Sequence, residues 1–382
     1  MQRKYKGNLR IRTKSRRLIV MCILTATLSC LMGCLTDSES GSKPSSTGAS
    51  SSSKPTNSSS SAQQLEPITT IDGISLLVDS SFFMDKFHSS FVKIAFNDDE
   101  TNELNYIEID GNTLKHEIIP TPGVPNHPQF SPDGSKLAFS TGLEGIPILS
   151  ELYVIDLASS KRSTYKIDVE SAAIPRWRIL ENGDTAILYN DFSGSNQDAR
   201  WANSGTYLVT YSNNSFGTPQ KIFNRSYNGG VASDHSLAAT GAPRLLFHYA
   251  ADNDSVNTDM YNDEQVCNVS LARDTNKIIS FLETRGTRGV EFTQDPQYNW
   301  HQYIFYMDYT GNILKAIKTD NSHVFNGTEW IFVPGFQVST LATADGLCES
   351  IALIDYVKSS YSTIIGAPGK QISNPDLWVS GY

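Results

Sequence analysis

The stretch HPQFSPDGSKLAFSTG, residues 127–142, sets a turn between two apolar runs and returns, altered, along the chain. Ser131, Pro132, Asp133 and Gly134 carry turn chemistry: Pro fixes φ at the second position and Gly accepts a positive φ at the fourth. KLAFS then leads through a loop to ELYVIDLASSKRSTYKI, which reads as a strand, an ASSK turn and a second strand. Runs such as LYVIDL are apolar on both faces instead of alternating. That pattern predicts sheets covered on both sides, as when small sheets stack on one another.

Variants of the same unit follow. IPRWRILENGDTAILYNDF (174–192) repeats the Pro, the aromatic, a turn with Asn182 and Gly183, and an apolar strand; GTYLVTYSNNSFGTPQKIF (205–223) supplies its outer hairpin. YNGGVASDHSLAATG (227–241) is a degenerate copy, and EQVCNVSLARDTNKIISFLE (264–283) another, with its hairpin in QYIFYMDYTGNILKAIK. Residues 328–365 form a further unit, and NPDLWVSG (374–381) begins one more before the chain stops. The units start near 127, 175, 228, 265, 330 and 375, a mean step of about 50 residues, which suits four short strands and their turns: the period of a β-propeller blade. The single strand in PDLWV predicts that the last unit completes the sheet begun by residues 91–119, giving six blades in a closed ring. No stretch of helical period is evident from about residue 68 onward.

The N-terminal part is of another kind. Residues 1–17 hold eight Lys or Arg and no acid, and the apolar run LIVMCILTATLSCLM follows. Fifteen residues fall short of the roughly 20 that span a bilayer, and a basic segment before a short apolar one reads as an export signal. LMGC, Leu31 to Cys34, resembles a bacterial lipobox, so the chain divides into a signal peptide (1–33), a tether (34–66) beginning at a lipidated Cys34, and a β-propeller (67–382). The tether is Ser-rich, with no large apolar residue over 38–64 to offset the entropy of ordering; as a coil it reaches roughly 30 Å. Leu35, in place of an Asp after the lipidated Cys, favours the outer membrane of a two-membrane envelope, on its periplasmic face or its surface.

Without the signal the chain carries 23 basic against 40 acidic residues, a net charge of −17. Such a field repels nucleic acid and anionic lipid, so a nucleic-acid function is excluded and membrane attachment falls to the acyl chains. Of the five cysteines only Cys267 and Cys348 remain in the folded part. Whether they bridge or sit apart as small buried hydrophobes stays open. No C-x-x-C, H-x-H or H-x-x-x-H pair occurs, and HEIIP at His116 lacks the second His of a zinc-peptidase motif, so no metal or cofactor is expected. The acidic loop from Asp252 to Glu264 has Val256 where a third oxygen ligand for Ca²⁺ would stand, and reads as solvated. No G-x-S-x-G nucleophile elbow is present.

HPQFSPDGSKLAFS followed by ELYVIDLASSK resembles the WD40-like Asp-Gly repeats of TolB-type propellers, closely over residues 126–161 and partly elsewhere. The resemblance implies a six-bladed propeller. The chain as a whole, with ESAAIPRWRILENGDT and NGGVASDHSLAATG, also resembles a paralogous lipoprotein family of Fibrobacter, which implies fold and location and no activity. No α/β domain is evident ahead of the propeller, so a role in an envelope-spanning complex is only an analogy.

Propellers bind at the mouth of the central channel, where the inner strands converge. The entry loops place Asn126, His127, Arg176, Tyr227, Asn228, Glu329 and Asp376 there as candidate binding residues. Trp177, Trp330 and Trp378 fall in one slot of the repeat and are expected to fill space between blades. The expected function is a non-catalytic, lipid-anchored scaffold for a protein or polysaccharide partner. The competing expectation is a carbohydrate-active hydrolase or lyase whose acids come from separate blades, which requires two carboxylates about 5 to 10 Å apart beside room for a sugar.

Overall fold

The computed structural model describes residues 66–252, 256–343 and 345–382. Cys34 and the expected signal and tether, up to residue 65, lie outside them. The described chain folds into six antiparallel sheets arranged as the blades of a propeller. Blade one pairs Ile372–Val379 with Phe91–Asp98, Glu103–Asp110 and Thr113–Ile119; blade two is Asn126–Phe130, Lys136–Ser140, Leu152–Asp156 and Thr164–Lys166. Blade three runs Ala173–Ile179, Thr185–Asn190 and Gly205–Ser212, with two short outer strands. Blade four begins at Gly230–Val231, blade five at Val266–Leu271 and blade six at His323–Trp330.

The two-faced apolar strands find their covers on neighbouring blades, so the core is divided into layers, one per blade interface. Leu137 and Phe139 pack with Tyr106 and Ile119 of blade one, while Ala138 and Val154 pack with Trp177 and Ile187 of blade three. Alternate residues of one strand thus serve opposite interfaces, as the period of two requires. The layer between blades six and one is the largest, and the N-terminal residues complete it.

The ring closes as the sequence predicts. Ile372 pairs with Asp98, Leu377 with Ile94 and Trp378 with Lys93, so the last strand is the innermost strand of the first blade. Trp378 also returns to the opening motif. Its Nε1 donates to Pro132 O at 2.9 Å and its ring covers Gly134, where an added Cβ would come within 2.4 Å of the indole. Gly134 is required twice, by that approach and by a φ of +65°. Ser131 Oγ and Ser135 N both donate to Asp133, which fixes the turn.

Three features depart from the sequence reading. A hairpin of Thr69–Ile71 and Ile74–Leu76 adds to the outer edge of blade six, with Ser75 opposite Gly366 and Leu76 opposite Ile365, making a six-stranded sheet. Second, the described residues include two α-helices: α1, Ser80–Phe87, and α2, Thr287–Thr293. Two turns are too short to display a helical period; α1 is set by Asp79, whose side chain accepts from Phe82 N, and by Phe83 and Phe87, four apart and both buried. Finally, Trp378 does not share a slot with Trp177 and Trp330. It lies one residue later, so it faces the next blade, whereas Trp177 and Trp330 face the preceding one, donating from Nε1 to Gln129 O and Ser270 O. Cys267 and Cys348 are not bridged to each other: Cys348 carries no disulfide and its Sγ accepts from Asn326 Nδ2 at 3.4 Å.

Candidate functional site

Five of the six inner strands carry the same irregularity. The register slips between Asn126 and Gln129, Ala173 and Arg176, Cys267 and Ser270, Asn326 and Glu329, and Ser373 and Asp376. Within each slip one residue is left-handed: His127 (φ 51°), Ile174 (54°), Asn268 (51°), Gly327 (62°) and Asn374 (47°). In three blades a proline comes next, at Pro128, Pro175 and Pro375, where the bulge needs no ladder N–H. The prolines of the repeat therefore mark bulges. A β-branched Ile174 in this conformation costs on the order of 1–3 kcal/mol, and the packed ring around it sustains that strain. Each bulge re-aims the residue after it, and these residues, Gln129, Arg176, Ser270, Glu329 and Asp376, are polar and mostly buried.

They form a plug of hydrogen bonds across the channel. Arg176 reaches from blade three to blade six, donating from Nε to Glu329 Oε1 at 3.0 Å and from Nη2 to Oε2 at 3.1 Å, while its Nη1 donates to Asn228 O. Gln129 Nε2 donates to Glu329 Oε1 at 3.1 Å, and its Oε1 accepts from Trp177 N. One layer further along the channel, Arg273 Nη2 lies 3.5 Å from Asp376 Oδ1 and 3.8 Å from Glu329 Oε1, and Asp376 Oδ2 accepts from Phe130 N at 2.8 Å. The two-pronged pairing is the strong form of the charged hydrogen bond.

Burial would raise the Glu329 carboxyl, but Arg176 and Arg273 outweigh it and hold the group below its ordinary value. Asp376 is pushed up to about 6 by burial, which Arg273 only partly offsets. Burial, helped by Arg176, lowers His127 to about 4, so its ring is neutral. Glu144, from the loop that joins the second and third strands of blade two, is raised to about 7 by burial against the pull of Arg176. His127 Nε2 and Glu144 Oε1 have no hydrogen-bond partner among the described residues. The cavity that His127, Glu144, Arg176 and Glu329 share is about 30 Å³. That is room for a water or two and not for a sugar ring.

On the far side of the plug the channel opens into a funnel of about 220 Å³, lined by Trp177, Arg178, Ile179, Arg273 and Phe332 among others. Two larger clefts lie between blades on the other face. One, of about 420 Å³, has Tyr189, Phe192, Arg200 and Tyr207; the second, of about 350 Å³, has Trp300, His323 and Asn326.

The structure gathers His127, Arg176 and Glu329 around one cavity, sets Asp376 beneath them, and uses the Asn228 carbonyl to hold Arg176. Asn126 is buried at the start of blade two. Tyr227 lies elsewhere, in an aromatic cluster between blades three and four, stacked on His248 with its OH donating to Asn257 Oδ1 at 2.8 Å. Gln129, Glu144, Arg178 and Arg273 join the channel unannounced. Arg178 was legible in principle, since it stands two residues beyond Arg176 on the same strand face; Glu144 sits in a long loop with no pattern to mark it.

The fold and the plug define a six-bladed β-propeller with a charge-closed channel. No protein-family model matches the chain, and no curated protein matches it in sequence at a significant level. Among solved structures it is similar to TolB from Acinetobacter baumannii (13% identity, 78% of this chain and 70% of that one, TM-score 0.47). It is also similar to hydrazine synthase of Kuenenia stuttgartiensis (12% identity, 77% and 47% covered, TM-score 0.49) and to the β-propeller domain of the trilobed protease from Pyrococcus furiosus (14%, 72% and 92%, 0.35).

Proposed function

We propose that this chain is a lipid-anchored propeller of the bacterial envelope, held to the membrane through Cys34, that serves as a non-catalytic scaffold for a protein or polysaccharide partner. The reading rests chiefly on the state of the channel carboxylates. Glu329 is engaged on both oxygens by Arg176, and the cavity beside it, at about 30 Å³, has no space for a glycosidic bond between two acids. Such a channel braces six blades; the clefts and rims around it are the surfaces left for contact. The LMGC motif, the Ser-rich tether and the net −17 charge support attachment by acyl chains at the outer membrane.

Two measurements test this. Cys34→Ala should move the protein from the membrane fraction to the soluble one; unchanged fractionation would sink the anchor. The domain from residue 67 onward, used as bait in envelope extracts and on a polysaccharide array, should retain one specific partner class. Turnover of a polysaccharide in place of retention would make it an enzyme.

A further inference from the structure

The two sides of the channel plug differ in how their charges are matched. Arg176 has Glu329. On the funnel side stand Arg178 and Arg273, with Asp376 as the nearest carboxylate to Arg273 and no ion pair for Arg178 among the described residues. Arg178 is 7 % exposed, and its Nη2 donates to Val231 O at 2.7 Å. The Arg273 side chain is 5 % exposed, its guanidinium lies 4.5 Å over the Phe332 ring, and its Nε and Nη1 have no hydrogen-bond partner. A buried guanidinium without a counter-charge is costly. Arg273 shares Asp376 and Glu329 with the plug, whereas Arg178 beside it is left unmatched, so the three channel arginines outnumber the two carboxylates they meet by one. Their effect on each other is visible: burial and then Arg273 lower the Arg178 guanidinium to about 9.

We propose that this funnel is a carboxylate-binding site that takes a free C-terminal carboxylate, or an acidic side chain, of a polypeptide partner. The inference rests on the scaffold reading and narrows it. The planar donors of Arg178 and Arg273 match a carboxylate, and capture of chain ends by convergent donors is a recurring mode of peptide recognition. About 220 Å³ accommodates one residue with an apolar side chain against Ile179. Asp274 stands on the rim, but its carboxylate is occupied by Asn276, whose N and Nδ2 donate at 2.9 and 3.0 Å. A uronic acid fits less well. Trp177 and Trp330 are 1 % and 3 % exposed, with both indole N–H groups engaged, and Arg273 covers Phe332, so no aromatic face is open for a pyranose ring.

The test is calorimetric titration of the full chain in detergent with N-acetyl-leucine, its amide, a capped peptide with an internal Glu, and glucuronate. N-acetyl-leucine, the capped Glu peptide or both should bind at least tenfold tighter than the amide, and which of them does so separates a chain end from a side chain. Arg178→Gln should weaken the acid tenfold or more, and Arg178→Lys less. Should Arg178→Gln fail to fold, the acid-against-amide comparison on the unaltered chain decides alone. Equal binding of acid and amide, no change in a folded Arg178→Gln, or glucuronate as the tightest ligand would overturn the proposal. Capture of one envelope partner equally by the parent and by Arg178→Gln would discard the site and keep the scaffold; carboxylate binding with no partner retained would do the reverse.

Discussion

The ring is latched twice, and the latches work by different physics. The C-terminal strand enters blade one as an eight-residue partner of Phe91–Asp98, so its attachment is mostly main-chain pairing in register. The N-terminal segment shares only two register positions with Ser360–Gly366, yet it buries Ile74, Leu76, Phe83 and Phe87 in the layer between blades six and one. Pairing specifies the first latch; apolar burial, at roughly 1.5–3 kcal/mol per fully buried side chain, stabilises the second. The two meet in one core layer, which also holds Ile372, Leu377 and Val379.

That contrast can be broken from either side. The largest effect should come from ending the chain before Ile372: blade one loses its inner strand, and cooperative unfolding, followed by circular dichroism, should disappear. Phe83→Ala comes next. It removes a fully buried ring that stacks on Phe87 at 6.3 Å, and should cost about 3–5 kcal/mol by urea titration with the blades still formed. A smaller effect is expected at the meeting of motif and latch. Gly134→Ala forces a side chain into a positive-φ turn beneath Trp378 and should lower the urea midpoint by an amount equivalent to about 1–3 kcal/mol, which Trp378→Ala should partly relieve.

The smallest prediction separates the latches from the channel they enclose. Burial raises the Glu144 carboxyl from 4.5 to about 7, so the neutral form suits the fold. Its stabilising share is complete below about 4.5 and is lost as pH rises through about 7. Glu144→Gln keeps the neutral form. It should match the parent at pH 4 and exceed it at pH 8 by about 1 kcal/mol, the full shift being discounted because the group touches the cavity. Equal melting temperatures at both pH values would show that the carboxyl is solvated.

The same contrast explains what was legible in the sequence. The C-terminal latch could be read because NPDLWV repeats a motif and then stops, so its missing strands had to be elsewhere. The N-terminal latch could not, because residues 66–90 repeat nothing: a hairpin and a two-turn helix earn their place through contacts with blade six that no local pattern encodes. In the channel, Arg176, Glu329 and Asp376 were legible as polar residues of the entry loops, although the bulge that aims them at the axis was hidden in what read only as a recurring Pro. Arg273 stood at the end of a strand and Glu144 in a loop, and only the closed ring brings them to the axis. Tyr227 shows the converse, since an aromatic at a repeat boundary is claimed by packing as readily as by a site.

The N-terminal hairpin also settles where load enters the molecule. Thr69–Ile71 is the outermost strand of a six-stranded sheet, so tension on the chain ahead of residue 66 falls on the rim of one blade and not on the axis of the ring. Strands at an edge pulled from one end separate one hydrogen bond at a time. The hairpin would then serve as a fuse: in a single-molecule pulling trace it should yield first, as a small early step, while the blades and the channel stay assembled.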